Sequence, residues 1–158
     1  MKNDSINLAV IDLDEQSKIE AIARHFEVNA EDVEATAYDH YGLTVYKVDG
    51  EEYAVGTDEE ADAAVADYIK DSAWSFNADF LASQTDLPEE VYRAMQDKCE
   101  DSNNTVSKLI EKTCGWDDFV AEAIRYDGRG HFLSGYDGEE IEVADETNRK
   151  VAFYAYKQ

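Results

Sequence analysis

The stretch LTVYKVDGEEYAVGTDEEAD, residues 43–62, decides the fold class because the residue period changes inside it. Residues 43–48 and 52–55 are rich in β-branched and aromatic side chains, and Asp49-Gly50-Glu51 lies between them. Asp-Gly between two such runs predicts a tight hairpin, because the turn needs a positive φ that glycine accepts. After Gly56 the signals become helical. Thr57 and Glu60 have the spacing of a capping box, and the carboxylates of Asp58, Glu59 and Glu60 suit the positive end of a helix dipole. Val65, Ile69, Ser72, Phe76 and Phe80 then recur on one face, beside Ala61, Tyr68 and Leu81. That spacing predicts a helix over about residues 58–83, broken near 72–77.

Upstream, Ile19, Ile22, Ala23 and Phe26 have helical spacing, so 14–27 reads as an amphipathic helix with an acidic first turn. The apolar run 6–13 before it reads as a strand or a lead-in. Asn29 to Asp32 reads as a helix cap, and residues 36–38 as a third strand. Downstream, Asp86 is placed as the cap of a helix with Pro88 in its first turn and Val91, Met95 and Cys99 on its apolar side. Asn104 or Thr105 caps a helix that carries Val106, Leu109 and Ile110 and ends at Gly115. Residues 117–125 form a short helix. The last third turns to β: a hairpin of 131–136 and 140–143 around Asp137-Gly138, then a strand over 151–156. Without βαβ alternation the class is α+β: an N-terminal helix and β-hairpin, central helices and C-terminal antiparallel strands. At 158 residues one domain is the default, with a sub-boundary near residues 56–57.

Composition bounds the function. A hydrophobic fraction of 44% with 10 Tyr, 6 Phe and 2 Trp supports a packed core, not a disordered chain. The first sixteen residues lack a basic region followed by an apolar run, and no apolar run reaches about 18 residues, so neither a signal peptide nor a membrane span is expected. Cys99 and Cys114 read as free thiols in a reducing cytoplasm.

The charge is the strongest functional signal. Thirty-seven Asp and Glu face 14 Lys and Arg, a net charge of -23 with a pI near 4.2. Such a charge repels itself and destabilises a compact state. It is also uneven: residues 1–62 hold 17 acids and 4 bases. Direct binding to nucleic acid needs cations against phosphate, so it is not expected. His25, His40 and His131 are scattered and the two cysteines form no CxxC, which leaves no transition-metal signature. Neither Asp12-Leu13-Asp14 nor Asp137-Gly138-Glu139-Glu140 continues as a calcium loop. GxSxG, GxxxxGK[ST] and GxGxxG are all missing from the sequence, and no cofactor is expected.

The inverse of nucleic-acid binding fits better. Carboxylates can stand where a DNA-binding protein expects phosphates. Duplex DNA carries one charge per about 1.7 Å of axis, and helix residues three or four apart sit about 5–6 Å from each other. Three clusters have that potential: Asp12, Asp14, Glu15 and Glu20; Glu27, Glu31, Asp32 and Glu34; and Asp58, Glu59, Glu60, Asp62, Asp67 and Asp71. Each cluster taken alone also reads as a cap plus a solvated face.

Two stretches carry a resemblance. DGRGHFLSGYDGEE, residues 127–140, and YAVGTDEEA, residues 53–61, resemble small proteins of tailed bacteriophages for which no activity is implied. The acidity, Leu87-Pro88-Glu89-Glu90 after a helix, and a late aromatic-Gly-Arg stretch are more distantly similar to the ArdA antirestriction proteins, acidic α+β DNA mimics. The resemblances imply a mobile-element protein acting in the host cytoplasm against nucleic-acid machinery, a restriction or CRISPR system among the candidates. The expected function is a non-enzymatic decoy that binds the basic nucleic-acid-binding surface of a host protein, with stoichiometry open and a homodimer allowed. The alternative is a phage accessory or regulatory module whose acid serves solubility and generic docking.

Overall fold

The computed structural model describes residues 4–98, 102–144 and 151–158, with side chains from residue 15 onward. The elements run α1 (Asp4–His25), β1 (Val33–His40), β2 (Leu43–Val48), β3 (Glu51–Gly56), α2 (Asp58–Ser72), α3 (Ala78–Thr85), α4 (Glu89–Lys98), α5 (Ser102–Lys112), α6 (Trp116–Leu133), β4 (Ile141–Ala144) and β5 (Val151–Lys157), with 3-10 turns at Ala30–Asp32 and Ala73–Ser75. The class is α+β. The chain forms two compact units, residues 1–64 with 129–158, and residues 65–128. No described helix is long and apolar enough to cross a membrane.

The first unit is built on a five-stranded antiparallel sheet of order β1-β2-β3-β5-β4. Antiparallel partners share a face, so Tyr46 opposite Tyr53, Val55 opposite Ala155 and Val143 opposite Phe153 make one apolar surface. Helix α1 lays Ala21, Ile22 and Ala23 on that surface, with Ile19 and Phe26 at its margin. The spacing that predicted this helix therefore marks its buried stripe. The other face carries Leu43, Val45, Ala54 and Tyr156, which are buried as well. Burial on both faces explains why β2 lacks a clean alternation of apolar and polar residues.

The hairpin at Asp49-Gly50 forms as expected, with φ of 49° and 84° at the two turn residues. A second tight turn, at Tyr41-Gly42, joins β1 to β2. Both of its residues have positive φ, and Asp39 Oδ2 accepts from the Gly42 N–H at 2.7 Å.

The second unit packs α3, α4 and α5 with the later part of α2 and with α6 up to its kink. Leu81, Tyr92, Val106, Ile110 and Phe119 are fully buried there. The Phe119 ring lies 5.5 Å from Phe76 and from Phe80 and 5.8 Å from Trp116. The break expected near 72–77 appears as the 3-10 turn and the N-cap Asn77.

Several expectations are corrected. Residues 6–13 are not a strand but the first part of α1; an eight-residue apolar run is compatible with either period. Asp86 does not cap α4. It adopts the left-handed conformation at the end of α3, φ 58° and ψ 32°, and its N–H bonds the Ala82 carbonyl. Aspartate fits both roles, and Pro88 bars helix at the residue before it. Tyr92, not Val91, is the buried residue of α4, and Val91 is 40% exposed. Helix α5 spans Ser102–Lys112, so neither Asn104 nor Thr105 caps it, and the Ser102 hydroxyl donates to the Met95 carbonyl. Cys99 lies outside the described residues.

The hairpin expected over 131–143 does not form. His131-Phe132-Leu133 is helical, the end of α6 beyond a kink at Gly128. Asp137-Gly138 is a turn in a loop, where Asp137 Oδ1 accepts from Ser134 Oγ and the Glu139 N–H. Residues 141–144 pair with β5 instead. Phe132 and Leu133 are adjacent and both buried, a pattern that three residues cannot assign to either period.

Candidate acidic interface

Three of the four residues of the second predicted cluster, Glu31, Asp32 and Glu34, line one depression, and Glu27 does not. The 3-10 turn after α1 places Glu31 and Asp32, the start of β1 places Glu34, and the β2–β3 turn places Asp49. With Val28, Lys47 and Gly50 they line an open depression of about 560 Å³. Asn29 Nδ2 donates to Asp32 Oδ2 at 3.1 Å. Lys47 lies opposite Glu34 on β1 and Glu52 on β3, so one cation sits among a surplus of acid. Glu27 is exposed just beyond α1, with φ 57°. Asp49 did not figure in the cluster read from sequence; its only signal was its place in the turn.

The third cluster is handled differently. Thr57 and Glu60 close the capping box: the Glu60 N–H donates to Thr57 Oγ1 at 3.2 Å, and the Thr57 N–H to Glu60 Oε2 at 2.9 Å. Lys18 of α1, only 6% exposed, donates to the same Glu60 oxygen at 2.9 Å. Asp58 and Asp62 each accept from Arg129 Nη1 at 2.8 Å. Glu59 is exposed, as are Asp67 and Asp71 on the part of α2 that belongs to the second unit.

Of the first cluster, Asp12 and Asp14 lie on α1 with their side chains outside the described set. Glu15 is half-buried. Glu20 is exposed and accepts from Gln16 at 2.8 Å.

Arg129 was the residue that sequence reasoning missed. Its Nε and Nη2 reach the two oxygens of Glu140 at 2.8 and 3.2 Å, and its guanidinium carbon lies 4.4 Å from the Tyr154 ring centre. The Tyr156 hydroxyl donates to Glu140 in turn. Burial alone would weaken the guanidinium's hold on its proton, but Glu140, Asp58 and Asp62 keep it charged. Burial and the bond to Glu140 push the Tyr156 phenol well above its usual range. The glycines on either side were the available signal. Gly128 takes φ 78° at the kink, and a Cβ on Gly130 would sit 2.4 Å from the Gly138 carbonyl oxygen.

Family models, curated proteins and solved structures were compared with the chain, and none matches. The site is therefore read from its own chemistry. Among the described residues no group of His, Cys, Asp and Glu is arranged to hold a metal ion.

Glu60 gives a pH test. Burial raises its carboxyl pKa, but the Lys18 and Thr57 hydrogen bonds outweigh burial and hold it below the ordinary 4.5. A depressed carboxylate stabilises the fold above its unfolded pKa, and that contribution is lost as pH falls through the folded pKa. Glu60→Gln should therefore cost a constant amount of stability above about pH 5.5 and progressively less below about pH 4.5. Urea titrations of both proteins from pH 3 to 7 measure this. A difference that grows on acidification would refute it.

Proposed function

We propose that this chain is a non-enzymatic acidic decoy that docks on the basic, nucleic-acid-binding surface of a partner protein. The observation that carries the reading is the convergence of Glu31, Asp32, Glu34 and Asp49 on one open depression, in a chain of net charge -23. Carboxylates so placed offer acceptors to Lys and Arg side chains that otherwise meet phosphate oxygens. The phage-like and ArdA-like stretches suggest a mobile-element setting, with a restriction or CRISPR system as the class of target.

A second reading is favoured for other carboxylates. Asp58 and Asp62 are bridged by Arg129, Glu60 by Lys18 and Glu51 by Lys157. Acid of this kind serves the fold and solubility, as it would in an accessory module with no nucleic-acid target.

The test is capture from a bacterial lysate on the immobilised chain at low salt. Elution of a retained protein by duplex DNA, and loss of retention at high salt, are the expected results. The chain itself should leave a labelled duplex unshifted at physiological salt. Micromolar binding to bare duplex, or retention that DNA does not displace, would sink the proposal.

A further inference from the structure

We propose that His40 is an acid-sensitive latch: neutral, it keeps the tip of the β1–β2 hairpin closed, and protonated, it lets residues 39–42 peel away from β2.

The tip is set apart from the rest of β1. Pairing with β2 covers residues 33–35, breaks at an irregularity, and resumes only at Asp39 and His40, opposite Thr44 and Leu43. Two residue pairs therefore hold the tip, and it can open without disturbing residues 33–35. A short paired segment of this kind opens more easily than a continuous ladder. The turn itself favours opening, because Tyr41 and Gly42 both have positive φ and tyrosine rarely adopts it. Against this stand the His40–Leu43 pair and the bond from the Gly42 N–H to Asp39 Oδ2 at 2.7 Å.

His40 is half-buried beside Leu43, which is fully buried. Its Nε2 is shut off from solvent and has no hydrogen-bond partner among the described residues. A neutral imidazole leaves that nitrogen as one unused acceptor. An imidazolium would place an N–H and a charge there with nothing to receive them. Asp39 is the charged neighbour that acts on the ring. It does not supply the missing bond: adjacent strand residues point to opposite faces, and its Oδ2 is engaged by Gly42. Across on β2 stands Leu43, which carries no charge. Beyond Leu43, near Gly56, lies Glu60, paired with Lys18 of α1.

Burial holds the imidazole below its usual 6.5, against the opposing pull of Asp39. Opening the tip frees the ring, which then takes a proton near that usual value. The latch is therefore fully set above about pH 6.5 and lost as pH falls through the lower value of the closed state.

Amide hydrogen exchange of the full chain, corrected for the intrinsic effect of pH on exchange, reads the opening. Protection of the His40 and Leu43 amides should fall about ten-fold between about pH 7.5 and pH 5. Protection of Glu34 and Lys47, paired on the other side of the irregularity, should hold. In His40→Phe, which keeps a ring but takes no proton, protection of Leu43 should stay constant over the same range. A proton NMR titration of the wild-type His40 imidazole should give a midpoint below 6.5. Flat protection in the wild type, an equal fall in His40→Phe, or a fall shared by Glu34 and Lys47 would each overturn the latch. Should His40→Phe fail to fold, the imidazole titration decides, and a midpoint at or above 6.5 overturns it.

Discussion

Reversing Glu31, Asp32, Glu34 and Asp49 to Lys is expected to slow association with the captured partner by about 10²- to 10³-fold at low salt. Long-range complementarity raises association from about 10⁵–10⁶ to 10⁸–10⁹ M⁻¹s⁻¹, and the four substitutions would turn the depression from attraction to repulsion. The matched control reverses Glu90, Asp97, Glu111 and Asp118, exposed residues of the second unit. Both quadruple variants change the net charge equally. A general field would make them equivalent, and a local interface would not. The gap should close as salt rises, since exposed charges are screened beyond about 8 Å at physiological ionic strength. Stopped-flow association against salt concentration checks it. Equal slowing by both variants would show that the depression is not the recognition face.

The second large effect concerns stability. Phe119→Ala should cost about 3–5 kcal/mol, a large share of the 5–15 kcal/mol that holds a typical domain. The side chain is fully buried, and three aromatic rings lie within 6 Å of it. Its removal leaves a cavity walled by rings, which relax poorly into empty space. Phe119→Leu fills most of that volume and should cost much less. Urea unfolding of the three proteins gives the comparison. A loss below about 1 kcal/mol for the alanine variant would mean that the rings collapse into the void.

The legible part of the fold was the part governed by local chemistry. Asp49-Gly50, the Thr57–Glu60 box and the stripe of Ile19, Ile22, Ala23 and Phe26 each carry their own signal, and each appears where expected. The illegible part depended on distant partners. The strand over 141–144 pairs with 151–157, and the glycines of Gly128-Arg129-Gly130 fit a turn into a strand as readily as the kink and further helical turn that form. Tyr41-Gly42 escaped notice because tyrosine rarely takes a positive φ. In the site, sequence showed where acid was dense but not which carboxylates were already spoken for. Glu60 and Lys18 are 42 residues apart, and Arg129 and Asp58 are 71 apart. Such pairings are tertiary and leave no mark on local composition.

The position of β5 has a consequence for biosynthesis. It lies between β3 and β4, and its Lys157 is opposite Tyr53. The ribosome therefore delivers the first three strands about a hundred residues before the strand that covers the open side of β3. At about 5–20 residues per second, the β3 edge and the apolar face around it wait roughly 5–20 seconds for a partner. During that interval the nascent chain exposes an unpaired strand. The dense acid of residues 1–62 is attached to that strand, and like charge on neighbouring nascent chains keeps such edges apart until β5 arrives.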